Sequence, residues 1–390
     1  MRKALLLFIL TVAFTASAIP LPQPPYPDPI AGAVGRYGVP NGPSFASSEL
    51  SVILFSRARA KADVYHLATF PARVAAANGQ MIPPDFTIDP TAPGWVGPVG
   101  FSGELNGVVF DPRGYIEISF GTNFGLGIVD TNGHLIKQIP ELSGVSTLFE
   151  SGGRQYLVGQ SGVSGAIYDV TNPAAPTLAR TLTFRPTSGA VANGDVALTL
   201  DSGELQFFTA ATLLAGGAPF QTSAPGETFH NVVTDGTNFF TPSFVTAAPT
   251  TLITSMFVKN GGTYTRSSQI PIDNEFPIDL RYDGGYLVLS GYRSDNTTNP
   301  AGAIFTIDGQ TLVLHDIRPF IEQNYGAPFG SGEYSLTPFH TGGREYIAAD
   351  MVPASDLFIL SDPNAIPSLS TWALIVLGAV VCAVAMTKMR

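Results

Sequence analysis

Short apolar runs separated by turns rich in glycine and proline recur along most of the chain. The stretch Ser151–Arg180 shows the unit most clearly. It has a Gly-Gly turn, an apolar run at Gln155–Gly159, a Gly/Ser turn, a second run at Ala166–Val170 and a Pro-bearing turn at Thr171–Pro176. Apolar runs of this length between turn residues predict β-strands.

Two markers repeat this unit elsewhere. An aromatic residue opens a strand within three residues after a Gly turn at Tyr115, Tyr156, Phe239, Tyr286 and Tyr346. An apolar strand ends near an aspartate at Asp130, Asp169, Asp308 and Asp362. The aspartates are expected to hold their own turns by bonding backbone amides. Short strands at a period of roughly 40 to 60 residues, with no long helical pattern between them, predict an all-β fold, a β-propeller.

The pattern predicts seven units, with six as the alternative because the first is irregular. They start near Leu50, Leu105, Val145, Ser188, Phe229, Pro277 and Ser335. The last unit has only three strands before it ends at Leu360, so we expect an N-terminal segment to supply the fourth and close the ring. Two tandem β-sandwiches are the other architecture considered, but the markers continue across any midpoint.

Composition narrows the function classes. Charged residues make up 13% of the chain, against roughly 25% in ordinary soluble domains. The 41 glycines and 32 prolines suit many tight turns. A net charge of −10 disfavours nucleic-acid binding. Cys382 is the only cysteine, so the body has neither a disulfide nor a thiolate metal site.

The N-terminus has the pattern of a signal peptide. Arg2 and Lys3 precede the apolar run Ala4–Phe14, and small residues at Ala16 and Ala18 form a cleavage site, so residues 1–18 are expected to be removed. Six prolines follow before residue 30, and we interpret residues 19–48 as an extended spacer or a strap on the domain. The propeller is then predicted over residues 49–362.

The C-terminus predicts a membrane anchor. Residues 372–386 are continuously apolar and span about 22 Å as a helix, which is marginal for a hydrocarbon core of about 30 Å. Residues 387–390 contain Lys388 and Arg390, which favour a cytoplasmic end. A single transmembrane helix is therefore expected.

Residues 363–371 form a linker, and a recognisable motif begins within it. Its positions are Ile366, Pro367, Ser368, Leu369 and Trp372, followed by the apolar helix and the basic tail. This order resembles the bacterial IPTL-CTERM sorting signal, with Ser368 in place of threonine and Ala373 in place of glycine. The resemblance implies a Gram-negative host and an exosortase-type membrane enzyme that removes the tail.

A second resemblance concerns the body. Asp169–Pro176, directly after Gly165–Tyr168, resembles the LVIVD-type propeller repeat of bacterial surface proteins. The other units lack the Asn-Pro-x-x-Pro ending, although Asp362-Pro363 keeps part of it. The resemblance supports a propeller and implies no particular activity.

The sequence contains no recognisable catalytic constellation. The five histidines are far apart, and none of the metalloprotease, serine-hydrolase, phosphate-loop or EF-hand patterns occurs. A propeller can still assemble a site from single residues at its channel mouth. The candidates near the starts of inner strands are Glu104, Asn106, His230, Asn231, Asp279 and Glu333. The simpler interpretation is that these six residues are ordinary solvated polar positions. If their side chains converge, their carboxylate and amide oxygens suit Ca²⁺.

Two long loops, Ala75–Pro98 and Phe320–Glu333, offer another surface. Their aromatic residues are expected to form either an aromatic binding face or covers over blade edges; these residues are Trp95, Tyr325 and Phe329. We therefore expect an exported protein that is sorted to the envelope or surface. It is expected to be a binding or scaffolding module for a protein or a polysaccharide, without catalytic activity. The alternative is a propeller hydrolase or lyase with a calcium ion at the channel mouth.

Overall fold

The computed structural model describes twelve stretches of the chain. They are residues 29–38, 44–47, 50–56, 59–97, 105, 107–120, 124–245, 251–272, 275–293, 300–316, 335–351 and 354–360. The predicted signal peptide, the sorting motif and the transmembrane helix lie outside these residues. The described part forms seven antiparallel sheets and two short helices, α1 (Phe70–Ala76) and α2 (Ala210–Ala215).

The sheets, named blades 1 to 7, follow one another along the chain. Blade 1 consists of β2 (Ser44–Ala46), β3 (Ser51–Ser56), β4 (Lys61–His66) and β5 (Phe86–Ile88). Blade 2 consists of β6 (Gly107–Asp111), β7 (Tyr115–Ser119), β8 (Leu126–Val129) and β9 (Leu135–Ile139). Blade 3 consists of β10 (Gly144–Ser151), β11 (Arg154–Ser161), β12 (Ser164–Asp169) and β13 (Thr177–Leu182). Blade 4 consists of β14 (Pro186–Ala192), β15 (Asp195–Leu200), β16 (Leu205–Thr209) and β17 (Gln221–Thr222).

The remaining blades include one irregular sheet and one that is closed by the N-terminal strand. Blade 5 consists of β18 (Glu227–Phe229), β19 (Val233–Thr234), β20 (Phe239–Val245), β21 (Thr251–Asn260) and β22 (Thr263–Ile272). Blade 6 consists of β23 (Glu275–Asp283), β24 (Tyr286–Arg293), β25 (Pro300–Asp308) and β26 (Thr311–Asp316). Blade 7 consists of β27 (Ser335–Thr341), β28 (Arg344–Met351), β29 (Ala354–Leu360) and β1 (Ile30–Gly38).

This topology is a seven-bladed β-propeller. The blades are antiparallel meanders whose first strand lies innermost. Two depart from the simple pattern: in blade 5 both β18 and β19 pair with β20, and in blade 7 the last strand, β29, pairs with β1. The predictions of an all-β fold and of seven blades are confirmed, and the six-bladed and tandem-sandwich alternatives are wrong.

The ring is closed by the N-terminal strand, as the sequence predicted. β1 pairs antiparallel with β29, from Ile30 opposite Leu360 to Gly38 opposite Ser355. β1 and β2 both belong to blades, so the propeller sheets begin at Ile30 rather than at residue 49. The sequence set these strands apart because β2 is only three residues long and β1 follows a run of prolines.

The apolar strands are explained by the seams between blades. Seven clusters of buried side chains occur in the described part, and each joins two adjacent blades. At the seam of blades 3 and 4, for example, Val158 and Ile167 pack with Phe208. A blade covered on both faces needs apolar residues on both, and this removes the polar alternation of an exposed sheet. Burial of each such side chain contributes about 1.5–3 kcal/mol.

The insertion between β4 and β5 covers the closure seam. Phe70 of α1 packs edge-on against Tyr37 of β1, with ring centroids 5.1 Å apart. Val74 of the same helix contacts the β1 backbone at Gly35, where a side chain would be crowded. Part of the predicted long loop Ala75–Pro98 is thus the end of a helix and the outer strand β5. Among the described helices, none has the length and apolarity needed to cross a membrane.

Candidate binding site in the central channel

Inner strands of all seven blades surround a central cavity of about 640 Å³. This volume is in the range of small-molecule sites in proteins, roughly 300–1,000 Å³. Its wall mixes hydroxyl groups with apolar side chains. The hydroxyl-bearing residues include Ser146, Thr147, Thr187, Ser188, Ser335 and Thr337, and the apolar ones include Phe45, Val108, Phe110, Val145, Val232 and Val233.

A hydrogen-bonded polar cluster lies on this wall at blades 5 and 6. The Asn231 Nδ2 donates to Asp279 Oδ1 at 2.7 Å and to the Leu280 carbonyl at 2.8 Å. The Arg281 Nε donates to Asp279 Oδ2 at 2.6 Å. Each carboxylate oxygen of Asp279 therefore accepts a hydrogen bond from a different neighbour, one of them charged.

Arg281 extends the cluster across blades 7 and 1. Its Nη1 donates to Thr337 Oγ1 at 2.7 Å and to the Ser44 carbonyl, and its guanidinium lies 4.2 Å from the centre of the Phe45 ring. The side chain is 12% exposed. Arg281 thus links three blades while its charge is matched by Asp279 and by an aromatic face.

Two irregularities of the sheets place these side chains in the channel. The inner strand of blade 5 is interrupted, because β18 ends at Phe229 and β19 begins at Val233. His230 and Asn231 lie in this gap. The inner strand of blade 6 has a register shift between Pro277 and Asp279, which redirects the side chain of Asp279.

His230 lies on the channel wall beside the cluster. Its backbone N–H donates to the Pro242 carbonyl at 3.2 Å, and its ring meets the Phe244 ring edge-on with centroids 5.0 Å apart. Burial lowers the pKa of His230 below 6.5. The imidazole is therefore neutral at pH 7.

The structure brings together three of the residues singled out from the sequence. His230, Asn231 and Asp279 line one cavity, and the last two are hydrogen-bonded. Glu104, Asn106, Tyr325, Phe329 and Glu333 lie outside the described residues. Whether Glu333 joins the cluster stays a prediction.

Trp95 lies elsewhere, on blade 2. Its ring meets Phe120 edge-on at 5.6 Å and lies over Gly127, where a Cβ would be only 2.0 Å from the indole. The neighbouring residue Val96 exchanges backbone hydrogen bonds with the Gln138 side chain at 2.6 and 2.7 Å. These contacts are those of a cover over a blade, the second of the two roles considered for this loop.

Sequence reasoning missed Arg281, Thr337, Ser44 and Phe45. Arg281 and Ser44 are 237 positions apart, so their contact exists only because the ring closes between blades 7 and 1. Arginine beside two hydroxyl-bearing residues forms no local pattern. The one available signal was the Asp279-x-Arg281 spacing, since alternate residues of a strand lie on the same face.

The fold and this cavity define the class: a seven-bladed β-propeller with a ligand-sized central channel. Residues 364–390 match the IPTL-CTERM motif, as the tail resemblance predicted. Comparison with curated protein sequences finds no significant match.

Several solved structures are similar to this chain in fold. A chain of the mitotic checkpoint complex aligns with 88% of this chain and 98% of its own length, with a TM-score of 0.56 and 12% identity. A streptogramin B lyase aligns with 87% and 96%, with a TM-score of 0.52 and 11% identity. Raptor of Chaetomium thermophilum aligns with 86% of this chain and 30% of its own, with a TM-score of 0.55 and 11% identity. At such identities the likeness concerns the fold alone.

Proposed function

We propose that this chain is an exported, envelope-sorted propeller that binds a protein or polysaccharide ligand at its central channel without catalysing a reaction. The observation that carries the proposal is the cavity of about 640 Å³ with contributions from all seven inner strands. The pattern of hydroxyl and apolar groups on its wall suits a sugar ring or a peptide segment, each of which has polar edges and apolar faces.

The state of Asp279 favours binding over metal catalysis. The calcium alternative uses His230, Asp279 and Glu333. In the structure both Asp279 oxygens are engaged, by Asn231 and by Arg281. A calcium ion there would have to displace a guanidinium, and a neutral imidazole is a poor ligand for it because Ca²⁺ prefers oxygen.

Melting of the full-length protein with and without calcium tests this alternative. Because a chelator removes every metal ion, the protein is first stripped with chelator, and the proposal then expects the same Tm with and without added calcium chloride. A calcium-dependent rise in Tm that Asp279→Asn abolishes would support the catalytic alternative, because a ligand bound only to the native state raises stability.

Ligand binding is tested with the full-length protein in detergent, on glycan arrays and on immobilised envelope proteins. His230→Trp fills the channel wall with a larger ring and is expected to weaken binding by about tenfold or more. The matched control is Val163→Trp, at a turn residue that is 94% exposed. Absence of binding to either ligand class, or equal binding by His230→Trp and wild type, would contradict the proposal.

The sorting half of the proposal is supported by the motif match at residues 364–390. We infer a signal peptide cleaved after Ala18, a transient inner-membrane helix with a cytoplasmic C-terminus, and removal of the tail by an exosortase-type enzyme. Replacing Ile366 and Pro367 with alanine is expected to leave full-length protein in the inner membrane. Intact mass of the envelope protein measures both termini, and unchanged processing of the variant would refute this inference.

A further inference from the structure

Three metal-ligating side chains converge where blades 6 and 7 meet, away from the channel cluster. Asp283 is the last residue of β23, and His340 and Glu345 are directly opposite each other in the β27–β28 hairpin. One ligand atom from each lies within 4.8 Å of the other two, and His340 Nδ1 is 2.9 Å from Asp283 Oδ2. Within the described ranges, this is the only group of three such residues.

The backbone of two Gly-Gly turns sets this convergence. Gly284 has a φ of +55°, which side chains rarely tolerate. A Cβ at Gly284 would lie 2.1–2.2 Å from the carboxyl atoms of Glu345. The Glu345 carboxylate therefore occupies space that glycine leaves open, and the turn of blade 6 holds it beside Asp283.

The charges at this seam favour a cation. Two carboxylates so close to each other repel unless a positive charge lies between them. His340 supplies at most one positive charge, and its imidazole is itself a metal ligand when neutral.

We propose that Asp283, His340 and Glu345 bind a divalent transition-metal ion, of which Zn²⁺ is the best match. Histidine nitrogen and Asp or Glu oxygen are all ligands that Zn²⁺ takes in proteins, whereas the imidazole disfavours Ca²⁺ and Mg²⁺. Three protein ligands leave a coordination position for water.

This site is separate from the proposed ligand channel. Asp283 follows Asp279 by four residues on β23, which corresponds to about 13 Å along an extended strand. The inference therefore does not depend on the proposed function, and either can fail alone.

The bound ion would link blade 6 to blade 7, which is the blade that closes the ring. Blade 7 takes its outer strand, β1, from the N-terminal end of the propeller, so its attachment to blade 6 bears on the stability of the closed ring. A metal bound only by the native seam stabilises the whole fold.

The experiment uses the full-length, untagged protein in detergent, stripped with a chelator and titrated with ZnCl₂ by calorimetry. We expect one Zn²⁺ per chain and a Tm that rises with zinc. His340→Ala and Asp283→Asn should each weaken zinc binding by about tenfold or more, because loss of even an outer-shell partner of a ligand costs about 10–100-fold in metal affinity. The matched control is His134→Ala, which removes another exposed His–Asp pair, with His134 Nδ1 3.2 Å from Asp130 Oδ2, and should leave zinc binding unchanged.

Absence of zinc binding in the wild type would overturn the proposal. So would unchanged affinity in His340→Ala, or an equal loss in His134→Ala. If His340→Ala or Asp283→Asn does not fold by circular dichroism, the near-isosteric Glu345→Gln replaces it, and unchanged affinity in that variant has the same meaning. A second readout is the visible spectrum of bound Co²⁺, which should be present in wild type and lost in the site variants.

Discussion

Blades 3 and 5 are both antiparallel meanders, but their inner strands differ at the channel. The inner strand of blade 3, β10, is continuous over eight residues and pairs with β11 from Gly144 to Ser151, with one register shift between Val145 and Thr147. The inner strand of blade 5 is divided into pieces of three and two residues, and His230 and Asn231 lie between them. The regular blade was the clearest repeat in the sequence, whereas the polar cluster comes from the irregular one.

The gap in blade 5 is stabilised by side chains in place of a strand ladder. Thr199 Oγ1 donates to the His230 carbonyl at 3.2 Å, and Ser188 Oγ accepts from the Val232 N–H at 3.3 Å. Asn231 donates to the Leu280 carbonyl of blade 6. These bonds satisfy backbone groups that lost their ladder partners and leave other polar groups facing the channel. The regular strand repeat therefore builds the framework of the propeller, and the polar side chains of the channel lie where that repeat is interrupted.

The largest expected effect is in the regular blade. Ile167→Ala removes a completely buried side chain of β12 from the seam with blade 4. We expect a loss of about 2–5 kcal/mol in the free energy of unfolding, because the substitution leaves a cavity. Urea denaturation measures it, with the exposed Val163→Ala as the control, expected to change stability little. A loss as small as the control's would mean that the blade seams do not hold the ring.

Asn231→Ala tests the irregular blade and should have the next largest effect. It deletes the donor to Asp279 and Leu280, and a buried partner left without its bond costs about 1–3 kcal/mol. Gln206→Ala is the matched control, since the Gln206 Nε2 donates to Glu204 Oε2 at 3.1 Å in an exposed contact of blade 4. Equal losses in the two variants would show that the channel cluster is no more than a surface contact.

The sequence allowed prediction of the framework because each blade is encoded locally. A Gly-Gly turn at φ +59° and +73°, followed by Tyr156, identifies a hairpin without knowledge of any distant residue. The predicted strand Ala166–Val170 corresponds closely to β12. Repetition of such local signals was enough for the blade count.

The site was predictable only in part, since its contacts span the ring. His230 and Asp279 stood out as polar residues near the starts of inner strands. Their partner Arg281 did not, because its contacts with Thr337 and Ser44 depend on how seven sheets close. The convergence of Asp283 with His340 has the same cause, since 57 positions separate them in the chain. Their proximity follows from adjacent blades presenting equivalent turns.

A pH titration tests the difference between blades 3 and 5 through a smaller effect. Because burial lowers the pKa of His230, the unfolded chain binds a proton near pH 6.5 that the native chain does not. Stability from this group is complete above pH 6.5 and is lost as the pH falls below 6.5 toward the folded pKa. Between about pH 5.5 and 7.5, the Tm should fall more steeply with decreasing pH in wild type than in His230→Gln. Identical slopes would mean that blade 5 does not shield the imidazole.

The smallest expected effect returns to the most repeat-like stretch. Arg154 Nη1 lies 2.8 Å from Asp169 Oδ2, but the arginine side chain is 64% exposed. Burial would raise the pKa of Asp169, yet bonds from Thr171 and the charge of Arg154 hold it below 3.8. Asp169 keeps the Thr171 bonds in Arg154→Ala, so we expect a loss of only about 0–1 kcal/mol by urea denaturation, and less in high salt. A loss as large as that of Asn231→Ala would contradict the distinction between the two blades, because it would give an exposed repeat position the energetic weight of the channel cluster.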